Sequence, residues 1–171
     1  MPPGDDHGTT TTRKRPTTGG TGAVAGEPPP DLHRRLDRIL LTTSGEATYH
    51  QLLDVVLDAL HSRYGYIGLI DEFGDLVCPT MTREVWPACQ VAGRSLVFPR
   101  SSWSGLWGRS LEERRTLVAN GGLRLPEGHL QLGAALAAPM VVGETLVGQI
   151  TVGTTGDGYG SADVRTLQGI A

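Results

Sequence analysis

Apolar positions recur at helical spacing from Leu32 to Leu60 and change to strand-like alternation beyond Gly65. After three prolines, Asp31 is placed to head a helix. Leu32, Leu36, Ile39 and Leu40 then form one stripe, with Arg34, Arg35, Asp37 and Arg38 between them. Gly45 ends this helix. A second begins near Thr48, carries Leu52, Leu53, Val56, Leu57 and Leu60, and stops at Gly65. Tyr66–Ile70 and Leu76–Thr80 read as the strands of a hairpin turned by Asp71–Asp75. Ala137–Val142 and Thr145–Val152 form another around Gly143-Glu144. In the latter, Leu146, Gly148, Ile150 and Val152 share one face, and Val147, Gln149 and Thr151 the other. Thr116–Ala119 adds a fifth strand, and Ser161 and Asp163 cap a final helix with Val164, Leu167 and Ile170. This order predicts an α+β fold: a central antiparallel sheet of five or six strands backed by N- and C-terminal helices. No βαβ unit is evident, which argues against a doubly wound parallel sheet.

Residues 1–30 contrast with this. They consist of Thr, Gly, Pro and charge, including Arg13-Lys14-Arg15, and offer almost no apolar surface to offset ordering entropy. A disordered tail is expected there, with one folded domain over 31–171. Gly20-Thr-Gly22-Ala-Val-Ala25 matches a dinucleotide-binding pattern, but no strand precedes it and prolines rather than a helix follow. The charge is nearly balanced, 15 Lys+Arg against 18 Asp+Glu, which argues against a nucleic-acid partner. Two cysteines exclude a disulfide-dense scaffold. No apolar run is long enough to span a membrane, and the start lacks the charged and apolar regions of a signal peptide. A cytoplasmic location is expected. The end at Ala171, in mid-pattern of a helix, is expected to mark a fragment of a longer parent.

The connection over 84–134 holds all three tryptophans, Cys89 and His129. Long connections of this kind carry binding loops or lids. Within and after it stand Glu84-Val-Trp-Pro-Ala-Cys-Gln90, Phe98-Pro99, Trp103-Ser-Gly-Leu-Trp-Gly108, Asn120 and Leu125-Pro-Glu-Gly-His129. Ala138-Pro-Met140, Gly143-Glu144, Val147-Gly-Gln-Ile150, Gly158-Tyr159, Asp163 and a terminal Leu-x-x-Ile-Ala follow in order. Together these motifs resemble the GAF domains of bacterial signalling proteins, which occur beside histidine-kinase, PAS and cyclase modules. The resemblance runs from Leu32 to Ala171. It implies a PAS-like sheet with helices behind and a ligand pocket in front, used for small-molecule sensing, dimerisation or both. Thr154-Thr155 stands where similar domains often carry Asn-Lys, and the Asn-Lys-x-Phe-Asp-Glu signature of cyclic-nucleotide binders is missing. The cysteine context of bilin-binding phytochromes is missing too.

Six residues are candidates for the lining of such a pocket: Trp86, Cys89, Trp103, Trp107, Asn120 and His129. Each has a structural alternative. Trp103 and Trp107, four apart, share a face if helical, and either clamp a planar ligand or close the sheet as core. The Asn120 amide either reads a polar ligand group or caps the backbone beside Gly121-Gly122. His129 can donate to a ligand, bind haem iron or fix its own loop. Cys89 is either an oxidant-sensing thiol or a small buried hydrophobe, and Cys78, on a strand, reads as structural. Their spacing is not that of a zinc site. No cofactor is identified.

Catalytic chemistry finds little support. No Ser/His/Asp set can be assembled. One GAF-fold enzyme class reduces free methionine sulfoxide with a set of cysteines that Cys78 and Cys89 do not resemble. The expectation is a non-enzymatic sensory domain of a bacterial signalling system, such as a two-component system. It would be a homodimer, bind a small molecule or a partner such as a histidine kinase, and relay the signal through its terminal helices. The alternatives are a ligand-free dimerisation module and a haem or redox sensor using His129 or Cys89.

Overall fold

The structure is a computed structural model that describes residues 30–82, 96–125 and 127–171. The expected tail, apart from Pro30, and the candidates Trp86 and Cys89 lie outside the described residues. In chain order the elements are α1 (Leu32–Thr42), α2 (Glu46–Ala59), β1 (Tyr64–Ile70), β2 (Leu76–Met81) and β3 (Val97–Phe98). They continue with α3 (Gly105–Glu113), β4 (Leu117–Asn120), β5 (Ala134–Val142), β6 (Thr145–Thr154) and α4 (Ser161–Ile170). The strands form one antiparallel sheet in the order β3-β2-β1-β6-β5-β4. This is the expected α+β architecture. Its sixth strand, β3, exists only through pairing with Leu76 and Val77.

Helices cover both faces. On the back, Leu53 and Val56 of α2, Leu60 just after it and Leu167 of α4 pack on Ile67, Leu136, Ile150 and Val152. Burying each such side chain contributes roughly 1.5–3 kcal/mol. Outside this layer, Leu32, Leu36 and Ile39 of α1 pack on Val55, and Ile170 of α4 joins them. On the front, Leu76, Cys78, Trp103 and Leu111 are buried together, with Tyr66, Ile70, Phe98, Trp107 and Leu146 against them.

Three local expectations are corrected. The helix α1 ends at Thr42, and Gly45 (φ 68°) heads α2, which starts at Glu46 rather than near Thr48. Gly65 does not end α2; it lies inside β1. The stop comes from His61, whose left-handed backbone (φ 47°) lets its N–H reach the Asp58 carbonyl while Ser62 N–H reaches that of Leu57. Gly65 instead permits close packing, since a Cβ there would lie 2.7 Å from the Thr151 carbonyl oxygen and 3.1 Å from Leu57 Cδ2.

The third correction concerns β6. Met140 pairs with Gly148 but Val141 pairs with Leu146, so Val147 is an extra residue and the alternation inverts there. Leu146 consequently packs with the front cluster, whereas Ile150 and Val152 belong to the back. A second bulge lies in β2, where Ile67 pairs with Thr80 and Leu69 with Val77. Cys78 and Pro79 together oppose Gly68, and a proline, lacking an N–H, is tolerated at such a bulge. Cys78 therefore faces the front cluster and Thr80 the side of α2.

Candidate functional site

The front of the sheet is built around Gln149, which is fully buried on the central strand β6. A buried amide must find partners, because an unsatisfied polar group costs about 1–3 kcal/mol. Its Oε1 accepts from the Tyr66 hydroxyl at 2.6 Å and from Thr151 Oγ1 at 3.1 Å. Its Nε2 donates to the Trp107 carbonyl at 2.8 Å, which ties α3 to the sheet. The buried Ser110 hydroxyl on the same helix donates to the Ala137 carbonyl at 3.2 Å. Burial raises the Tyr66 hydroxyl well above its usual range, with the Cys78 thiol adding and the Thr151 hydrogen bond opposing. Burial also pushes the Cys78 thiol up to about 12, so it stays protonated at neutral pH.

The tryptophans fill this face. Trp103 lies before α3, not within it, so it does not form a helical pair with Trp107. It is buried against Leu76, Cys78 and Leu111 and donates from Nε1 to the Phe98 carbonyl at 3.2 Å. Arg100 sits 5.6 Å above its ring. Trp107, half-buried, meets the Phe98 ring edge to face at 5.5 Å.

Asn120 and His129 lie away from Gln149. The Asn120 amide is engaged on both sides by the Tyr159 backbone. Half-buried His129 donates from Nδ1 to the Leu130 carbonyl at 2.8 Å, which leaves Nε2 as the acceptor of the neutral ring. The structure thus joins Trp103 and Trp107 in one cluster and leaves Asn120 and His129 outside it. The sequence reading missed Gln149, Tyr66 and Ser110 as organisers of this face. An amide in the middle of an otherwise apolar strand was the available signal.

Among the described residues no three His, Cys, Asp or Glu side chains converge as metal ligands. Among the described residues no helix is long and apolar enough to cross a membrane. Two clefts lie outside the Gln149 cluster. One, of about 370 Å³, lies between Arg114, Arg115, Pro139 and Gln168. The other, of about 250 Å³, lies between α2 and the end of β2.

A family model described as a GAF domain matches residues 42–171. None of the curated proteins matches the sequence. Among solved structures, the GAF domain of a phosphoenolpyruvate-protein phosphotransferase from Coxiella burnetii is similar at a TM-score of 0.63 and 12% identity, with 82% of this chain and 88% of that one covered. Free methionine-R-sulfoxide reductase from Neisseria meningitidis, solved with its substrate, follows at 0.61 and 14%, covering 81% and 80%. A domain described as part of a two-component sensor histidine kinase from Sinorhizobium meliloti reaches 0.52 and 17%, covering 75% and 86%. At these identities the likeness is one of fold.

Proposed function

Because the chain belongs to the GAF family, we propose that it is a non-enzymatic regulatory domain of bacterial signal transduction. It relays an input at its sheet through α1 and α4 to an output domain or to a partner such as a histidine kinase. The observation that carries this reading is the seating of Ile170 of α4 on the cluster formed by Leu32, Leu36, Ile39 and Val55. The first and last helices thereby share one packed layer with α2, so a shift of one is felt by the other. A bound molecule changes output only through unequal affinity for two such arrangements.

The input is a small molecule, with Trp107 at the front and His129 in the loop after β4 as its candidate contacts among the described residues; the candidates Trp86 and Cys89 lie outside those residues. Trp103 and Asn120 contribute to it through packing and backbone pairing. The protonated, buried thiol of Cys78 supports the non-enzymatic reading, since it supplies no thiolate nucleophile at neutral pH.

A second reading, a ligand-free dimerisation module, is favoured by the filling of the front by Trp103 and Leu111 and by the full engagement of Gln149. Native mass spectrometry of the protein purified from a bacterial cytoplasm, with its absorption spectrum, separates the two. A retained small molecule establishes the sensor, and a Soret band would make it a haem sensor. A clean dimer of apo mass establishes the module. Turnover of free methionine sulfoxide would overturn the non-enzymatic reading.

A further inference from the structure

On the back of the sheet, the cleft between α2 and β2 contains a polar group that the fold leaves unsatisfied. Thr80 lines this cleft of about 250 Å³ and is 2% exposed, and its hydroxyl has no hydrogen-bond partner among the described residues. The bulge at Cys78–Pro79 is what turns Thr80 to this face. Its neighbour Thr82 does not relieve it, because the Thr82 hydroxyl is already engaged, accepting from Gly65 N–H at 2.8 Å and donating to the Gly65 carbonyl at 3.0 Å.

The facing wall is α2. His50 and Asp54, one turn apart on the helix, line the cleft with Leu53 and Leu57. His50 Nδ1 lies 2.9 Å from the Glu46 carbonyl oxygen, which can only accept. The Nδ1 proton is therefore committed, and Nε2 of the neutral ring is an acceptor. The Asp54 carboxylate is an acceptor as well. The cleft thus offers two acceptors, one negative charge and one unpaired hydroxyl beside the apolar Leu53, Leu57 and Met81.

We propose that this cleft binds a small primary amine, with its ammonium group donating to Asp54, His50 and Thr80 and its hydrocarbon body lying on Leu53, Leu57 and Met81. An ammonium carries three donors and the complementary charge. A carboxylate or phosphate would meet like charge at Asp54. The volume of about 250 Å³ equals that of about eight waters at the roughly 30 Å³ each takes in the liquid, room for the chain of a six-carbon amine. The site is separate from the front face, and its existence does not depend on the regulatory reading.

Titration of the whole protein with n-hexylamine at neutral pH, followed by amide NMR shifts, tests this, with hexanoate and n-hexanol as controls. The expected result is saturable shifts at His50, Asp54, Thr80 and Met81 at millimolar amine, at least tenfold weaker for both controls. Thr80→Val, which keeps the side-chain shape, weakens binding at least fivefold. Asp54→Asn, on the exposed helix surface, does the same and serves if Thr80→Val does not fold. Shifts that do not saturate, equal response to hexanoate, or undiminished affinity in Asp54→Asn would overturn the proposal. Absence of amine binding would overturn it as well.

Discussion

The side chain of Asn120 pairs with the backbone of Tyr159 as a neighbouring strand would, donating from Nδ2 to its carbonyl at 3.0 Å and accepting its N–H at 2.8 Å. The Tyr159 hydroxyl in turn lies 2.8 Å from Ser62 Oγ. The end of β4, the entry to α4 and the turn after α2 are thus fastened at one residue. Replacing Asn120 with Ala removes both bonds at once and should cost about 1–3 kcal/mol of stability, measured by urea unfolding. Unchanged stability would leave the amide free for a ligand role instead.

Gly158 makes this pairing possible. A Cβ there would overlap Asn120 Oδ1 and Cγ. Gly158→Ala should destabilise the wild-type protein at least as much as Asn120→Ala does. In the Asn120→Ala background the same change should cost less, because the overlaps with Oδ1 and Cγ are gone and only the 2.9 Å approach to the Cβ of residue 120 remains. A double-mutant cycle with additive losses would show that the two residues act independently.

Gln149→Leu should be more damaging than its conservative volume suggests. It strips the Tyr66 hydroxyl of its acceptor and the Trp107 carbonyl of its donor inside the front cluster. A loss of about 1–3 kcal/mol is expected, together with a red-shifted tryptophan emission as α3 loosens. Tyr66→Phe, which leaves the Gln149 amide bonded to Thr151 and Trp107, should cost less.

Alkaline pH should weaken the fold. Cys78 titrates near 9.0 in its ordinary state and is pushed up to about 12 by burial, and Tyr66 moves up from 10.0 for the same reason. The unfolded chain therefore releases these protons first as pH rises, which favours unfolding. Stability is fully present below pH 9 and falls progressively between about 9 and 12. A Cys78→Val variant should show a shallower decline in denaturation midpoint over that range, and an identical slope would contradict the assignment.

The parts of the fold legible in the sequence are those set by local pattern. The helical stripe of α2 and the short apolar runs between turn signals in β1, β2, β5 and β6 mark elements that burial requires. What was not legible depends on partners distant in sequence. Strand β3 has only Val97 and Phe98, too few to show alternation, and is defined by Leu76 and Val77. The stop of α2 was assigned to Gly65 because His61 carries no left-handed signature. The side taken by Leu146 depends on the extra residue Val147, which no periodicity announces. At the site, Asn120 was singled out beside a Gly-Gly turn, but its partner lies 39 residues away. For Trp103 and Trp107 the sequence left ligand clamp and core equally open. The contacts of Trp103 with Leu76, Cys78 and Leu111 show how much of this face is packing.

The relay through the helical layer is the central claim, and hydrogen–deuterium exchange on the Ile170→Asp variant tests it most directly. Ile170 belongs to α4 yet packs against the cluster of α1 and α2. The account predicts that α1 and α4 lose protection together while α3 and β4 keep theirs. Loss confined to α4, with α1 as protected as in the wild type, would contradict it.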